Sequence, residues 1–223
     1  MFDIIFISYN EENADENWNK LSSRFPIAKR VHGVKGIHRA HMRAANISFT
    51  KMFWVVDGDA EILDDFDFKI SDDINFETVY VCRSVNPINN LVYGNGGVKL
   101  LPTNLTRQMD VSTTDMTTSI SNKFSIIDKV SNITKFNTSP FNTWRSAFRE
   151  CAKLSSKTIQ RHNEIETQER LDIWCTVGKD QLYGEYAIAG AIKGKEFGII
   201  HKDQLNNIND FQWLQEQFLK YEN

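Results

Sequence analysis

The chain has 223 residues, which is enough for one substantial hydrophobic core. Hydrophobic residues make up 41% of it and charged residues 25%, as is typical of a globular domain that folds on its own. The formal net charge of -3 argues against a protein that only holds DNA, because such proteins are usually clearly basic, so any contact with nucleic acid must come from a local patch.

Strand and helix patterns alternate at the start of the chain. Short apolar runs predict strands, and apolar residues at helical spacing predict helices. Strand, helix, strand, helix and strand are predicted, in this order, over residues 3–8, 14–24, 27–31, 37–48 and 52–56. This order is typical of a parallel sheet with crossover helices.

The remainder of the chain is less regular and ends in helices. A helix is predicted to begin after Ser139, with Ser139 as its cap and Pro140 at its first position. Further strands are predicted over residues 77–84 and 98–101, strands or loops over 119–136, and helices over 164–176, 182–193 and 209–221. Because no repeat or linker interrupts the pattern, we expect a single domain over residues 1–223.

Two carboxylates follow the predicted central strand, where Asp57 and Asp59 flank Gly58. In an open α/β sheet, ligands bind beyond the carboxyl ends of the strands. Carboxylate oxygens suit Mg²⁺ or Mn²⁺, which are usually shared with substrate phosphates. Asp and Gly are also common in plain surface turns. The position directly after the run Phe-Trp-Val-Val favours a metal site.

A strand–helix pattern that leads to an apolar strand and Asp-x-Asp resembles the GT-A class of glycosyltransferases. The resemblance implies an α/β fold of GT-A type, a single domain with a Rossmann-like parallel or mixed sheet flanked by helices. In that class the Asp-x-Asp pair, here Asp57 and Asp59, binds Mn²⁺ or Mg²⁺ at the diphosphate of a nucleotide sugar. A third ligand often comes from a histidine near the C-terminus, and His201 follows the apolar run 197–200. A surface histidine at a strand end is the alternative, and an imidazole ligand would favour Mn²⁺.

The same resemblance implies a set of residues that bind the nucleotide sugar, expected to be a UDP-sugar. The loop after the first strand is where GT-A enzymes hold the nucleoside, and Tyr9 could stack on the base. Cations around two glycines in the segment 29–38 suit a diphosphate, and the glycine turn at 95–97 would face the donor sugar and the acceptor. A solvated basic turn is the alternative for the segment 29–38, and Gly-Gly is also a common hairpin turn. The implied contacts are Ser8, Tyr9, Asn10, Glu11, Arg30, Lys35, His38, Asp57, Gly58, Gly96 and Gly97.

The segment 144–150 places two arginines on one helix face. Arg145 and Arg149 are four residues apart, as are Trp144 and Phe148 on another face. One face would be core, and the other would present two guanidinium groups, which bind phosphates well. A solvated helix face is the alternative. The basic strip continues through Lys153, Lys157 and Arg161.

This segment, together with Asp57-Gly58-Asp59 and the segments 171–175 and 183–187, resembles a group of GT-A-like glycosyltransferases of T-even-like bacteriophages. Some of these attach a sugar, including arabinose, to 5-hydroxymethylcytosine in phage DNA. The resemblance covers most of the chain. It implies metal-dependent transfer of a sugar such as arabinose or glucose to modified double-stranded DNA. It further implies that Trp144, Arg145 and Arg149 contact DNA or phosphate.

An inverting transferase also needs a carboxylate base near the acceptor hydroxyl. Asp115, Glu150, Asp180 and Glu185 are candidates, and Glu150 and Asp180 complete an expected catalytic set with Asp59. Three alternative functions stay open: transfer to a glycan, lipopolysaccharide or protein acceptor, a catalytically silent nucleotide-binding protein, and a metal-dependent phosphohydrolase. Motifs for acyl transfer or for a Walker-type NTPase are absent from the sequence.

The cysteines and the apolar runs bear on location. Cys82, Cys151 and Cys175 are odd in number and widely spaced, which predicts reduced thiols rather than a disulfide framework or a zinc site. The start of the chain lacks the basic residues and length of a signal peptide, and no run is long enough to span a membrane. We therefore expect a soluble, monomeric, cytoplasmic protein without membrane contact, located in the host cytoplasm if a phage encodes it.

Overall fold

The computed structural model describes residues 1–71, 73–94, 97–113, 115–157 and 163–222. These residues fall into two compact units. The first comprises Met1–Asn86 and Val92–Lys135, and the second comprises Pro87–Leu91 and Phe136–Asn223. The mixed α/β class predicted from the sequence is confirmed.

The first unit is built on a mixed sheet. Its strands are β1 (Asp3–Ser8), β2 (Lys29–His32), β3 (Met52–Asp57), β4 (Ala60–Ile62), β5 (Val79–Val85), β6 (Val92–Tyr93), β7 (Val98–Pro102) and β8 (Phe124–Thr134). The strand order is β2-β1-β3-β7-β5-β8-β4, and β6 pairs with β5. Strands β2, β1 and β3 run parallel, whereas β7 is antiparallel to both β3 and β5. The helices of this unit are α1 (Ala14–Arg24), α2 (Ile37–Ile47), α3 (Thr103–Arg107) and α4 (Met116–Ile120).

Strands β1 and β3 are continuously apolar over residues 4–7 and 52–56 because both of their faces are covered. Successive side chains of a strand point to opposite faces. Phe6 and Trp54 therefore join one buried cluster, which includes Leu21 of α1, and Ile5 and Val55 join another, which includes α2 residues. Burial on both faces explains why a continuous apolar run, rather than an alternating one, marks these strands.

The second unit is helical. It contains α5 (Pro140–Ser156), α6 (Glu164–Thr176), α7 (Gly184–Ile200), a 3-10 helix (Lys202–Asn209) and α8 (Phe211–Glu222). The predicted cap of α5 is confirmed, since the Ser139 side chain accepts a hydrogen bond from the Asn142 backbone N–H at 3.2 Å. Within the ranges that the structure describes, no helix is both long and apolar enough to cross a bilayer.

Helices α5 and α7 pack with their backbones close together. A Cβ atom built on Gly190, Gly194 or Gly198 would lie 2.2–2.3 Å from an atom of α5. For Gly190 and Gly194 the nearest atoms are the carbonyl oxygens of Trp144 and Phe148. Glycines every four residues thus line the face of α7 that meets α5.

The structure departs from the sequence prediction at several elements. Within residues 119–136, Phe124–Thr134 form the long strand β8, and two short strands, β4 and β6, were not predicted. The apolar run 197–200 was expected to lead to a strand end, and this expectation is wrong, because α7 continues through Ile200. The reason is packing: Gly198 lies on the close-packed face toward α5, so helical contacts extend to the end of this run.

Candidate functional site

The Asp57-Gly58-Asp59 turn lies at the carboxyl end of β3, as predicted. Gly58 is buried, and its carbonyl accepts a hydrogen bond from the Asn17 side chain of α1 at 3.0 Å. A Cβ on Gly58 would lie 2.7 Å from Glu11 Oε2 and 3.1 Å from Ser8 Cβ. The loop after β1 therefore packs directly on this turn, and a larger residue at the middle position would displace the Glu11 side chain.

Asp57 is held by an ion pair that the sequence analysis did not anticipate. Its Oδ2 accepts a hydrogen bond from Lys99 Nζ at 2.7 Å, and its backbone N–H donates to the Gly97 carbonyl at 2.9 Å. Lys99 lies on β7, opposite Val55 in the register, and its side chain is only 7% exposed against 33% for Asp57. A lysine inside the apolar strand Val-Lys-Leu-Leu-Pro was the available signal, since buried lysines are rare without a partner.

A buried histidine stands close to this pair. His41 of α2 is 2% exposed, and its Nδ1 donates to the Ile37 carbonyl at 2.8 Å. The pKa of His41 is lowered to about 4; burial is the largest cause, the positive charge of Lys99 acts in the same direction, and Asp57 opposes the shift. The imidazole is therefore neutral at physiological pH and adds no charge beside Asp57.

Asp59 is half-buried, and its carbonyl accepts a hydrogen bond from the Lys135 backbone N–H at 2.7 Å. Two carboxylates in one turn match the oxygen chemistry of Mg²⁺ or Mn²⁺. In the part of the chain that the structure describes, no three or more His, Cys, Asp or Glu side chains are grouped to hold a metal. A divalent cation at this turn fits the donor set only if substrate oxygens supply further ligands, as is usual for phosphate-bound Mg²⁺.

The loop after β1 contains one exposed aromatic side chain. Tyr9 is 40% exposed, and its backbone N–H donates to Glu11 Oε2 at 2.7 Å. Asn10 is exposed, whereas Ser8 is only 2% exposed and is engaged in hydrogen bonds with its neighbours. The side chains of Tyr9 and Asn10 are therefore accessible to a ligand, whereas the buried Ser8 would act on a ligand mainly by holding neighbouring side chains in place.

Two cations of the β2 region differ in their accessibility: Arg30 is held by neighbouring side chains, whereas Lys35 is exposed. The Arg30 guanidinium pairs with Asp15 at 2.7 Å and lies over the Trp18 ring at 6.0 Å. Lys35 is exposed, in a loop whose glycines at 33 and 36 adopt φ of +74° and +95°. His38 on α2 is half-buried. Lys35 thus remains the more accessible cation for a diphosphate.

The glycine turn before β7 is described only in part. Gly96 lies outside the described residues. A Cβ on Gly97 would lie 2.4 Å from Nδ2 of the fully buried Asn132 on β8. The absence of a side chain at Gly97 therefore lets the turn before β7 pack closely against the Asn132 side chain.

His201 belongs to the second unit and ends α7. Its backbone N–H donates to the Phe197 carbonyl at 2.8 Å, and its ring lies 5.2 Å from the Phe197 ring. His201 therefore follows a helix, whereas the alternative of a surface histidine placed it at a strand end. The role as third metal ligand stays a prediction.

The arginines of α5 are partly committed to packing inside the second unit. The Arg145 guanidinium lies 5.1 Å from the centre of the Phe211 ring, and an Arg149 Nη donates to the Asn209 side chain at 3.1 Å. Trp144 is 1% exposed in a buried cluster with Phe148. Trp144 is therefore a core residue with no surface for DNA, and the contact prediction is restricted to the two arginines.

The carboxylates predicted for acid–base chemistry are spread over both units. Asp180 is exposed and accepts a hydrogen bond from the Gln181 side chain at 3.1 Å, and Glu150 is half-buried on α5. Asp115, in the first unit, accepts hydrogen bonds from the backbone and hydroxyl of Thr117 as the cap of α4. Arg161, at the end of the basic strip, lies outside the described residues.

No protein-family model matches the chain, and no curated protein matches its sequence. Among solved structures, the chain is similar to the crystal structure of HddC from Yersinia pseudotuberculosis, with 11% identity over 59% of this chain and 92% of that one. The TM-score of 0.35 is too low to carry an argument about fold or function. The GT-A resemblance therefore stays a prediction.

Proposed function

We propose that the chain is a metal-dependent glycosyltransferase that uses a nucleotide diphosphate sugar. One observation carries the proposal: Asp57-Gly58-Asp59 follows the central parallel strand β3 and is packed against the loop after β1. The carboxyl ends of parallel strands are where α/β proteins bind nucleotides. The turn thus brings acidic oxygens, an exposed tyrosine and a basic loop to one edge of the sheet.

The side chains of this edge have distinct roles in the proposal. Asp57 and Asp59 would hold Mn²⁺ or Mg²⁺, which when bound stabilises the negative charge of the leaving diphosphate. Tyr9 stacks on the base, and Lys35 attracts the phosphates. Lys99 pairs with Asp57 Oδ2 at 2.7 Å, so a bound cation would share this carboxylate with the ammonium group.

The test of the metal assignment is Asp59→Asn, which removes one charged ligand while keeping the shape of the side chain. We expect the variant to lose Mn²⁺-dependent UDP binding and sugar transfer, at a cost of several kcal/mol in transition-state stabilisation. Calorimetric titration of UDP with and without Mn²⁺ measures the effect. Asp64→Asn removes an exposed carboxylate of the same unit and is the matched control. Wild-type turnover by Asp59→Asn would refute the metal site.

For the acceptor we propose 5-hydroxymethylcytosine in double-stranded DNA. Support comes from the phage resemblance and from the two arginines of α5, which keep partial exposure. DNA binding needs cations that contact phosphate. An Arg145→Ala, Arg149→Ala double variant should lower the slope of log affinity for DNA against log salt by about one for each phosphate that is no longer neutralised. An unchanged slope would assign both arginines to packing against the C-terminal segment.

The direct test of the acceptor is mass spectrometry of hydroxymethylated DNA incubated with the protein, Mn²⁺ and a panel of nucleotide sugars. A mass increase of one sugar on the modified cytosine is the expected result, and unmodified DNA is the control. Donor turnover without a DNA product would exclude this acceptor and favour a glycan, lipopolysaccharide or protein acceptor. UDP binding without any transfer would favour a silent nucleotide-binding protein.

A further inference from the structure

A chain of three hydrogen-bonding side chains joins the carboxyl ends of β1 and β2. Ser8 and His32 are opposite each other in the parallel register. Ser8 Oγ lies 2.9 Å from His32 Nδ1, and Arg30 Nε donates to Ser8 Oγ at 3.1 Å. Asp15 and the rings of Phe6 and Trp18 hold the Arg30 guanidinium in place. These hydrogen bonds therefore connect the Arg30 guanidinium, through the buried Ser8 hydroxyl, to the His32 imidazole.

The direction of the Arg30 bond follows from the chemistry of arginine. A guanidinium can only donate, so Ser8 Oγ is the acceptor of the Arg30 bond. The Ser8 hydroxyl keeps its own hydrogen, which it can donate to His32 Nδ1. A second donor, Arg30 Nη2, lies 3.5 Å from the same nitrogen. Two donors around Nδ1 favour the tautomer in which the imidazole proton is on Nε2.

His32 differs from its partners because it is exposed, whereas Ser8 is buried. The His32 ring forms its hydrogen bonds to Ser8 and Arg30 through Nδ1, so the N–H group at Nε2 can donate to a ligand. It stands at the same edge of the sheet as Tyr9 and Asp57. A donor at this edge matches the oxygens of a nucleotide, which are mostly acceptors.

We infer that His32 is a ligand-contacting residue that donates a hydrogen bond from Nε2 to an oxygen of a nucleoside diphosphate, and that Ser8 and Arg30 are positioning residues that set its tautomer. The inference rests on the proposed function for the nature of the ligand. On β2 the residue that contacts the ligand is then His32 and not Arg30, because the Arg30 guanidinium is engaged by Asp15 and Ser8.

The first measurement uses the free protein. Nitrogen-15 NMR of the histidine side chains, recorded well above the ordinary imidazole pKa of about 6.5, should show His32 protonated on Nε2. Ser8→Ala removes one donor to Nδ1 and should shift His32 toward a mixture of tautomers. A wild-type His32 protonated on Nδ1 would overturn the inferred arrangement, whatever the protein binds.

The second measurement uses UDP with Mn²⁺ as the probe. His32→Asn places an amide near Nδ1 and loses the outer donor, and it should weaken UDP binding about five- to twentyfold, the loss of about one hydrogen bond. His32→Gln can place an amide donor near the position of Nε2 and should recover most of this loss. Lys129→Gln, an exposed change on β8, is the control and should bind as the wild type does.

Separate titrations with uridine and pyrophosphate identify which oxygens His32 contacts. The part of the nucleotide that moves the His32 Nε2 signal, and whose affinity falls in His32→Asn, is the part recognised. UDP binding that is equal in wild type, His32→Asn and His32→Gln, with an unmoved signal, would overturn the inference and leave the proposed function standing. A wild-type protein that binds no UDP would overturn both the proposed function and the ligand contact.

Discussion

We predict that removing Asp57 and removing Lys99 from their ion pair reduce the stability of the protein by different amounts. Breaking a buried pair by removing one partner costs about 3–5 kcal/mol, whereas exposed pairs contribute about 0–1 kcal/mol. Asp57→Asn leaves an ammonium group that is 7% exposed without its carboxylate, so we expect a cost near the buried range, about 3 kcal/mol. Lys99→Met leaves a carboxylate that is 33% exposed and still reaches water, so we expect about 1 kcal/mol.

The double variant completes the cycle. With both charges removed, no ion is left unpaired, and we expect a cost of about 2 kcal/mol instead of the additive value of about 4 kcal/mol. Urea unfolding followed by tryptophan fluorescence gives each free energy of unfolding, provided that the denaturant slope is unchanged. The exposed pair Lys123–Glu77 is the matched control, with an expected coupling close to zero. Additive costs, or a Lys99 variant less stable than the Asp57 variant, would refute the reasoning.

Three further results are expected. Lys99→Met should raise the affinity for Mn²⁺ about tenfold, because it removes a positive charge beside Asp57. Electron paramagnetic resonance of free Mn²⁺ measures this affinity. Weaker binding by the variant would mean that Lys99 helps to form the site. Stability should fall by up to about 3 kcal/mol as the pH drops from about 6.5 to about 4, because the pKa of His41 is lowered to about 4 in the fold and the unfolded chain takes up the proton first. His41→Gln should lose that part of the pH dependence, and parallel profiles would contradict the assignment to His41. Gly194→Ala should destabilise the protein by about 2 kcal/mol although alanine favours helices, because its Cβ would lie 2.2 Å from the Phe148 carbonyl oxygen. The control Lys193→Ala, at an exposed position of α7, should change the stability little. A higher melting temperature for Gly194→Ala would contradict the close packing.

Local sequence signals predicted the elements whose causes are local. The run Met-Phe-Trp-Val-Val predicted β3 because a strand buried on both faces consists mostly of apolar residues. Ser139 and Pro140 predicted the start of α5 because capping involves only the next few residues. The position of Asp57 and Asp59 followed from the end of β3. For these features, composition and spacing within about ten residues were sufficient.

The parts that sequence could not predict depend on partners far along the chain. Phe-Gly-Ile-Ile at 197–200 is too short for periodicity to separate strand from helix, and only the packing of Gly198 on α5 decides it. Lys99 meets Asp57, which lies 42 positions earlier, because β7 is antiparallel to β3. Arg30 suggested a phosphate contact by its charge, but its engagement by Asp15 depends on how α1 lies beside β2.

The glycine face of α7 also has a consequence for folding. A glycine inside a helix costs about 1 kcal/mol relative to alanine, so Gly190, Gly194 and Gly198 together weaken the isolated helix by about 3 kcal/mol. In proteins most of the stability of a helix comes from tertiary packing and not from its intrinsic propensity. Helix α7 should therefore form only once α5 is beside it, so that the two helices appear as one cooperative unit. In native-state hydrogen exchange, the amides at the centres of α5 and α7 should open together, with a common free energy and a common response to denaturant.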